Sequence, residues 1–324
     1  MKVVITGGAG FLGRRLAKRL LQNGTLKNAE GESAEVSKLV LFDTAPCQGF
    51  SDPRVEIVVG DVSDAAAIGS VIDAQTTSIF HLAAVVSSQS EEDFDLGMRV
   101  NLDATRLLFE ACRRAGECPK VIFASSLAVY GGNLPEVVHD DTVQNPKTSY
   151  GVQKAICELL LADYSRRGFI DGRGLRFPTI SVRPGKPNKA ASSFASGIIR
   201  EPLNDQEAVC PVTPDMNMLL MSPRQAVECM IWAHDLGAEA FGQTHVINLP
   251  GVTVSVRDMV ETLGRIAGPG ATRKIRWEAD PAIQRIIGTW PTRWETRRAD
   301  MLGFKGDRDF ESIVRAFIHD DLVG

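Results

Sequence analysis

Short apolar runs alternate with longer stretches of helical period along the first half of the chain. Val3, Val4 and Ile5 in succession predict a strand over Lys2–Thr6, whereas Phe11, Leu12, Leu16, Leu20 and Leu21 recur on one helical face over Phe11–Gln22. Lys38–Phe42, Val55–Val59, Ser78–Leu82 and Lys120–Ser125 repeat the strand signal, with helical patterns over Asp64–Asp73 and Asp93–Arg114 between them. Strand, helix, strand at this rhythm predicts parallel strands joined by right-handed crossovers, and so an α/β fold on a doubly wound parallel sheet. Tyr150–Arg167 then predicts a long helix, and Leu175–Arg183 a further strand ending at Pro184.

Beyond Pro184 the pattern loosens into a loop over Gly185–Ser193 and then into short elements mixed with prolines. We place a lobe boundary near residue 180, with the chain returning to the sheet around Val212–Leu249 and residues 181–324 forming mainly a smaller C-terminal lobe. A chain of 324 residues is long enough for that division. Lys27–Ser37 is polar and reads as a surface insertion between helix and strand.

Charge and composition narrow the function. The net charge is −4 and Lys and Arg are scattered, so no basic face presents itself to a nucleic-acid backbone. The apolar runs are short, and the N-terminal one is broken by Thr6, Gly7 and Gly8, which predicts neither a signal peptide nor a spanning helix and hence a cytoplasmic protein without a membrane partner. Six cysteines without a CxxC pair predict reduced, buried thiols, and five histidines without an HExxH argue against a metal site.

The loop Thr6-Gly7-Gly8-Ala9-Gly10-Phe11-Leu12-Gly13 sits between the first strand and the first helix. In that position Gly7, Gly10 and Gly13 allow a tight turn, close approach of the backbone to a pyrophosphate, and close packing of helix on strand, with the helix N-terminus and its Phe11 and Leu12 amides facing the anion. Asp43 ends the next strand, where a carboxylate accepts from an adenosine ribose. It lies 30 residues after Gly13 rather than the usual ~20, and the insertion absorbs the difference. A carboxylate there repels a 2′-phosphate, which favours NAD over NADP, with Arg14 and Arg15 as the counter-argument. Asp61 and Val62 follow one strand and Leu82, Ala83 and Ala84 another, both at ends that face the same crevice in a Rossmann-type sheet. His81 reads as a packed core residue. Residues 1–180 are thus the predicted NAD-binding domain.

Chemistry is signalled further on. With three tyrosines and eleven lysines in the chain, a Tyr-x-x-x-Lys pair arises by chance in about 0.1 copies. Tyr150 and Lys154 form one, on a single helical face, where an ammonium beside the phenol favours the phenolate needed for acid–base work. Upstream, the apolar strand Val121–Ala124 runs into Ser125 and Ser126, and a serine at a strand end can donate to a substrate oxygen.

Together these residues resemble the extended short-chain dehydrogenase/reductase family, the NAD-dependent epimerases and dehydratases. The resemblance covers nearly the whole chain and rests on Thr6 to Gly13, Gly60-Asp61, His81 to Ala84, Val100-Asn101, Ser126, Tyr150-Lys154 and Arg183-Pro184. It implies that Tyr150 is the acid–base, that Lys154 lowers its pKa and holds the nicotinamide ribose, and that Ser126 binds the substrate oxygen. It further implies cofactor contacts for Asn101 and Pro178, with Ser125 alongside, a Thr179 near the reacting carbon, and a homodimer through Asp93–Arg114 and Tyr150–Arg167. Ala104 departs from the family's usual glycine.

The substrate depends on the second lobe. Nucleotide-sugar members carry an Arg-Asp-Tyr-like segment whose arginine grips a diphosphate, and the equivalent Asn217-Met218-Leu219-Leu220 has no arginine. Instead, Arg183 to Ser193, Ile198 to Leu203 and Met221 to Arg224 resemble the D-erythronate dehydrogenase branch, implying oxidation of C2 of a small sugar acid. Such an acid needs a cation and hydroxyls. Arg183, Arg200, Arg224 and Lys186 are the candidate cations, with Ser192 and Ser193 as hydroxyls. The alternative is a nucleotide-sugar epimerase or dehydratase that recycles NAD.

Overall fold

The computed structural model describes residues 1–187 and 189–322; Asn188, in the loop noted above, and the last two residues lie outside the described residues. Seven strands form the main sheet: β1 (Lys2–Thr6), β2 (Lys38–Asp43), β3 (Val55–Val59), β4 (Thr76–His81), β5 (Lys120–Ser126), β6 (Asp171–Phe177) and β7 (Val246–Asn248). Their spatial order is β7-β6-β5-β4-β1-β2-β3, and every pair is parallel. The order reverses at β1, so the crevice at the carboxyl ends of β1 and β4 is the place where a ligand binds in such a sheet.

The period-two alternation of the strands decides which helices cover each face. Val3, Ile5, Leu39 and Leu41 point to the side where α1 (Phe11–Asn23) packs through Leu16 and Leu20, together with Ala226 and Met230 of a later helix, Pro223–Asp235. Val4, Val40 and Phe42 point to the other, covered by Ile68, Leu108, Phe109 and Leu161 from α2 (Ala65–Val71), α3 (Ala104–Ala115) and α4 (Ser149–Arg166). Burial on both faces is why these strands read as nearly continuous apolar runs.

A second core gathers Val182, Phe194, Ile198, Leu220, Met259, Leu263, Ile313 and Val314. Three helices supply most of it, α5 (Phe194–Leu203), α7 (Val256–Ala267) and α8 (Phe310–Phe317); α6 (Pro223–Asp235) belongs to the first core. They pack on a small sheet in which Asn217–Met221 pairs with Val252–Ser255 and Thr179–Ile180.

Two sequence expectations are corrected, and the surface insertion is given its shape. The strand predicted over Leu175–Arg183 is β6, which ends at Phe177 because Pro178 has no N–H to continue the ladder; Thr179–Ile180 pairs instead with Leu220 and Met221. The helix predicted over Asp93–Arg114 is broken into Phe94–Gly97, a π-helical turn over Met98–Asp103, and α3. The polar insertion is a hairpin, Thr25–Lys27 with Ser33–Glu35, anchored by buried Leu26 and by the Lys120 ammonium, which donates to the Lys27 and Asn28 carbonyls at 3.0 and 2.8 Å. No helix among the described residues is long and apolar enough to cross a membrane.

Candidate active site

Two adjoining cavities open at the carboxyl ends of β1 and β4. One, of about 390 Å³, is lined by Gly7, Asp43, Asp61, Val62, Ala83 and Arg99; the other, of about 260 Å³, by Phe11, Ser126, Tyr150, Lys154, Arg183 and Trp290 among others. Gly7, Gly10, Leu82 and Ala84 border both, so the glycine loop is the sill between them.

The sill fits a dinucleotide. Gly7 has φ of 72°, and a Cβ there would lie 2.9 Å from the Ala83 amide nitrogen; a Cβ at Gly13 would collide with the Gly7 carbonyl oxygen. The N-terminus of α1 has neither a side-chain cap nor an acid in its first turn, which leaves its amides for an anion. Asp43 is fixed by the Ala9 amide at 3.0 Å and the Ala45 amide at 3.2 Å. Asp61 accepts from the Ser63 amide and hydroxyl at 2.8 and 2.7 Å, bonds that hold its carboxyl below the usual range with help from the Arg99 charge. These are the groups that would hold the adenosine side of NAD.

His81 is a structural link, as its sequence context suggests. It is buried between the Thr6 hydroxyl at 2.7 Å and the Thr105 hydroxyl at 2.9 Å, and burial pushes its pKa down to about 3, so the ring is neutral.

The smaller cavity holds the reactive set. β5 delivers Ser126 at its carboxyl end, and α4, started by the Thr148 hydroxyl accepting from the Gly151 amide at 3.1 Å, delivers Tyr150 and Lys154 one turn apart. The Ser126 hydroxyl stands close enough to the Tyr150 phenol to favour its ionised form, and the Lys154 ammonium stands 5.7 Å from the Tyr150 ring centre while donating to the Ala124 carbonyl at 2.8 Å. Burial pushes the Tyr150 phenol up to about 12 against the lowering effect of Ser126, and lowers Lys154 to about 8. The phenol is therefore set by its loss of hydration, and the ammonium 5.7 Å from its ring leaves it above its ordinary value.

The four candidate cations separate. Arg183 lines the cavity over the Phe11 ring at 5.4 Å, has no carboxylate partner among the described residues, and is lowered to about 10 by burial and by the charge of Arg200. Arg200 is buried behind it, donating to the Arg183 carbonyl at 2.8 Å and paired with Glu201 at 2.5 Å, so it braces the site and does not enter it. Arg224 is spent outside the cleft on Asp320, and Lys186 does not line the cavity. Ser192, Pro178 and Thr179 do line it, with Ser125. Asn101 does not: its amide is satisfied by the Val85 backbone at 2.8 and 3.1 Å, Ser90 at 3.1 Å and Gln153 at 2.8 Å, which makes it a brace behind the wall. Sequence reasoning missed Ser87 and Trp290 in the reactive cavity and Gln89 and Arg99 in the other. None sits in a spacing pattern that marks chemistry.

Residues 3–247 match the NAD dependent epimerase/dehydratase family. Over 320 residues the chain is 56% identical to a D-erythronate dehydrogenase of Cupriavidus necator, spanning 99% of this chain and 98% of that one. A D-erythronate dehydrogenase of Haemophilus influenzae is 44% identical over 99% of this chain and 100% of its own length. A crystal structure described as the nucleoside-diphosphate-sugar epimerase from Agrobacterium tumefaciens superposes with a TM-score of 0.93 at 43% identity, covering 100% of this chain and 95% of that one.

Proposed function

The chain belongs to the NAD dependent epimerase/dehydratase family, and from that premise we propose that it oxidises the C2 hydroxyl of D-erythronate, or a close aldonate, to the 2-keto acid with NAD. The observation that carries this reading is the lone Arg183 guanidinium in the same small cavity as Ser126, Tyr150 and Lys154. An uncompensated cation beside an acid–base pair suits a small carboxylate that bears its reacting hydroxyl on the next carbon. The names carried by the two dehydrogenase relatives support the same substrate.

Each residue has one task in this scheme. Arg183 holds the carboxylate, and Ser126 steadies the C2 oxygen by a hydrogen bond. Tyr150 removes the hydroxyl proton as the carbonyl forms. Lys154 keeps a positive charge beside the phenol and is the residue that would bind the nicotinamide ribose. NAD, when bound, supplies the acceptor for the two electrons and hydrogen that leave C2. The glycine loop, Asp43 and Asp61 would hold its pyrophosphate and adenosine.

We assign the enzyme to the cytoplasm as a homodimer. Six free cysteines, five of them buried, suit a reducing compartment. Val152 and Leu159, seven residues apart on α4, are exposed apolar residues of the kind a helix-face interface covers.

Purified enzyme mixed with D-erythronate and NAD is expected to produce NADH, read by absorbance. Silence across four- to six-carbon aldonates overturns the proposal. Conversion of a sugar nucleotide with NAD retained through purification and no net NADH transfers the chain to the epimerase reading.

A further inference from the structure

The carboxylate of Glu158 lies behind the reactive cavity, and no step above uses it. It is 3% exposed, and four donors from three separate segments converge on it. Ser125 of β5 and Gln144 of the loop before α4 each donate to it, and Arg176 of β6 grips it with Nη2 at 2.7 Å and Nε at 3.0 and 3.2 Å. Arg176 extends the network, donating to the Tyr130 hydroxyl at 2.5 Å and to Asn248 of β7 at 3.3 Å, while Tyr130 donates to Asn248 at 3.1 Å.

The strand and the helix meet at three points. Tyr150, Lys154 and Glu158 follow one another at four-residue intervals along α4, and three consecutive residues of β5 answer them. The Ser126 hydroxyl meets Tyr150, the Ala124 carbonyl accepts from Lys154, and the Ser125 hydroxyl donates to Glu158. The first two rungs are the reactive ones. The third places its carboxylate outside the cavity lining and is tied to the next strand through the two-pronged grip of Arg176.

We infer that Glu158 is a positioning residue: anchored by Arg176, it fixes the catalytic face of α4 against β5 in the register that aligns Tyr150 with Ser126 and seats Lys154 on Ala124. It has an electrostatic consequence as well. Burial works to strip the proton from Lys154, and the groups that face this ammonium are Tyr150, Cys157 and Glu158 on its own helix and His81 from β4, while β5 presents only Phe123, Ala124, Ser125 and Ser126. His81 is neutral and Cys157 is held as a thiol by burial, so among the described residues the Glu158 carboxylate is the anion that favours the ammonium.

The inference rests on the dehydrogenase reading for its kinetics but not for its central test. Enzyme labelled with ε-¹³C-lysine is titrated by NMR, with the Lys154 resonance identified by its loss in Lys154→Met. In Glu158→Gln the Lys154 midpoint is expected to fall by about one pH unit. In the same variant kcat is expected to fall about tenfold through misplacement while KM stays within about threefold. Glu158→Asp, which keeps the charge, is expected to restore the midpoint. Because Glu158→Gln leaves Arg176 buried without a counter-charge, the double variant E158Q/R176Q, which leaves none, is measured beside it and is expected to show the same shift. If neither folds, Ser125→Ala removes one rung alone, and a fall in kcat supports the inference. An unmoved Lys154 midpoint or an unmoved kcat in a folded Gln variant, or an unmoved kcat in Ser125→Ala, overturns it. Failure of the wild-type enzyme to oxidise any aldonate would sink the substrate assignment and leave the NMR result standing.

Discussion

Two regions beside the glycine loop carry arginine, and they differ in how far the fold has already paired it. The outer groove is the larger, about 810 Å³, and is lined by Arg14, Arg15, Lys18, Arg19 and Arg224. Yet three of those five cations are answered from within the chain: Arg15 pairs with Asp320 and Asp321 at 2.7 and 2.5 Å, Arg224 with Asp320 at 2.5 Å, and Arg19 with Glu228 at 2.7 Å. The reactive cavity has about 260 Å³ and the single cation Arg183 alongside Lys154, and no carboxylate meets that guanidinium among the described residues. Volume and cation count both point to the wrong place. What marks the site is a charge that the fold has desolvated without providing its partner, because such a group gains most from an incoming anion.

The comparison breaks first at Tyr150. If the small cavity is where the chemistry happens, Tyr150→Phe removes the phenol that takes the hydroxyl proton, and kcat should fall about 10³-fold. NAD affinity, measured by fluorescence titration, should hardly change, since the glycine loop and Asp43 are untouched. A variant with more than a tenth of wild-type turnover would place the acid–base elsewhere.

Arg183 is the next lever, and it sets the two regions directly against each other. Arg183→Met keeps much of the stem over Phe11 and removes the charge. Loss of a charge-assisted contact of about 3 kcal/mol predicts a fall of about 100-fold in kcat/KM for the sugar acid. Most of it should be carried by KM, as for a contact made equally in ground and transition states. An unchanged KM would mean that the carboxylate sits on another donor.

The two halves of the cleft also differ in how much of them was legible in the chain. The dinucleotide half is made of backbone, and backbone demands leave a local trace: Gly7 and Gly13 sit where a Cβ would collide with backbone and Gly10 where one would be tight, and Asp43 ends a strand whose apolar run announces it. The Tyr150–Lys154 pair was legible for a similar reason, since one helix fixes its geometry. The substrate half is made of side chains from segments far apart. Arg183, Ser192 and Trp290 meet only because Pro178 diverts the chain from β6 into the second sheet, an event that the apolar run through Phe177 conceals. For the same reason the sequence could not rank Arg183, Arg200 and Arg224. Their difference lies in whether Glu201 or Asp320 has already claimed them, which is a tertiary fact.

The dependence on pH sharpens the account of the reactive cavity. The Tyr150 phenol is raised to about 12 by burial, so its basic form is scarce at neutrality and increases as pH rises. Lys154 is lowered to about 8, so the supporting ammonium is lost as pH passes that value. The two effects multiply: oxidation rates should climb by up to about tenfold per pH unit below pH 8 and level off above it. Initial rates of NADH formation at saturating substrate give the profile, and a rate independent of pH between 6.5 and 8 would contradict it.

The smallest effect belongs to the outer groove, and it is the control that the comparison requires. Arg224 is 49% exposed and its partner Asp320 is 17% exposed, a pair near the surface whose net contribution to stability is no more than about 1 kcal/mol. Arg15 shares Asp320, so Arg224→Met leaves that carboxylate with one cation and does not strand it. Thermal denaturation should therefore shift by only a few degrees, less in high salt, where exposed pairs are screened. The kcat/KM for the sugar acid should stay within about twofold of wild type, because removing a satisfied surface charge changes neither the carboxylate contact nor the acid–base pair. A loss comparable with that of Arg183→Met would mean that Arg224 leaves Asp320 during turnover and that the groove, for all its internal pairing, belongs to the substrate site.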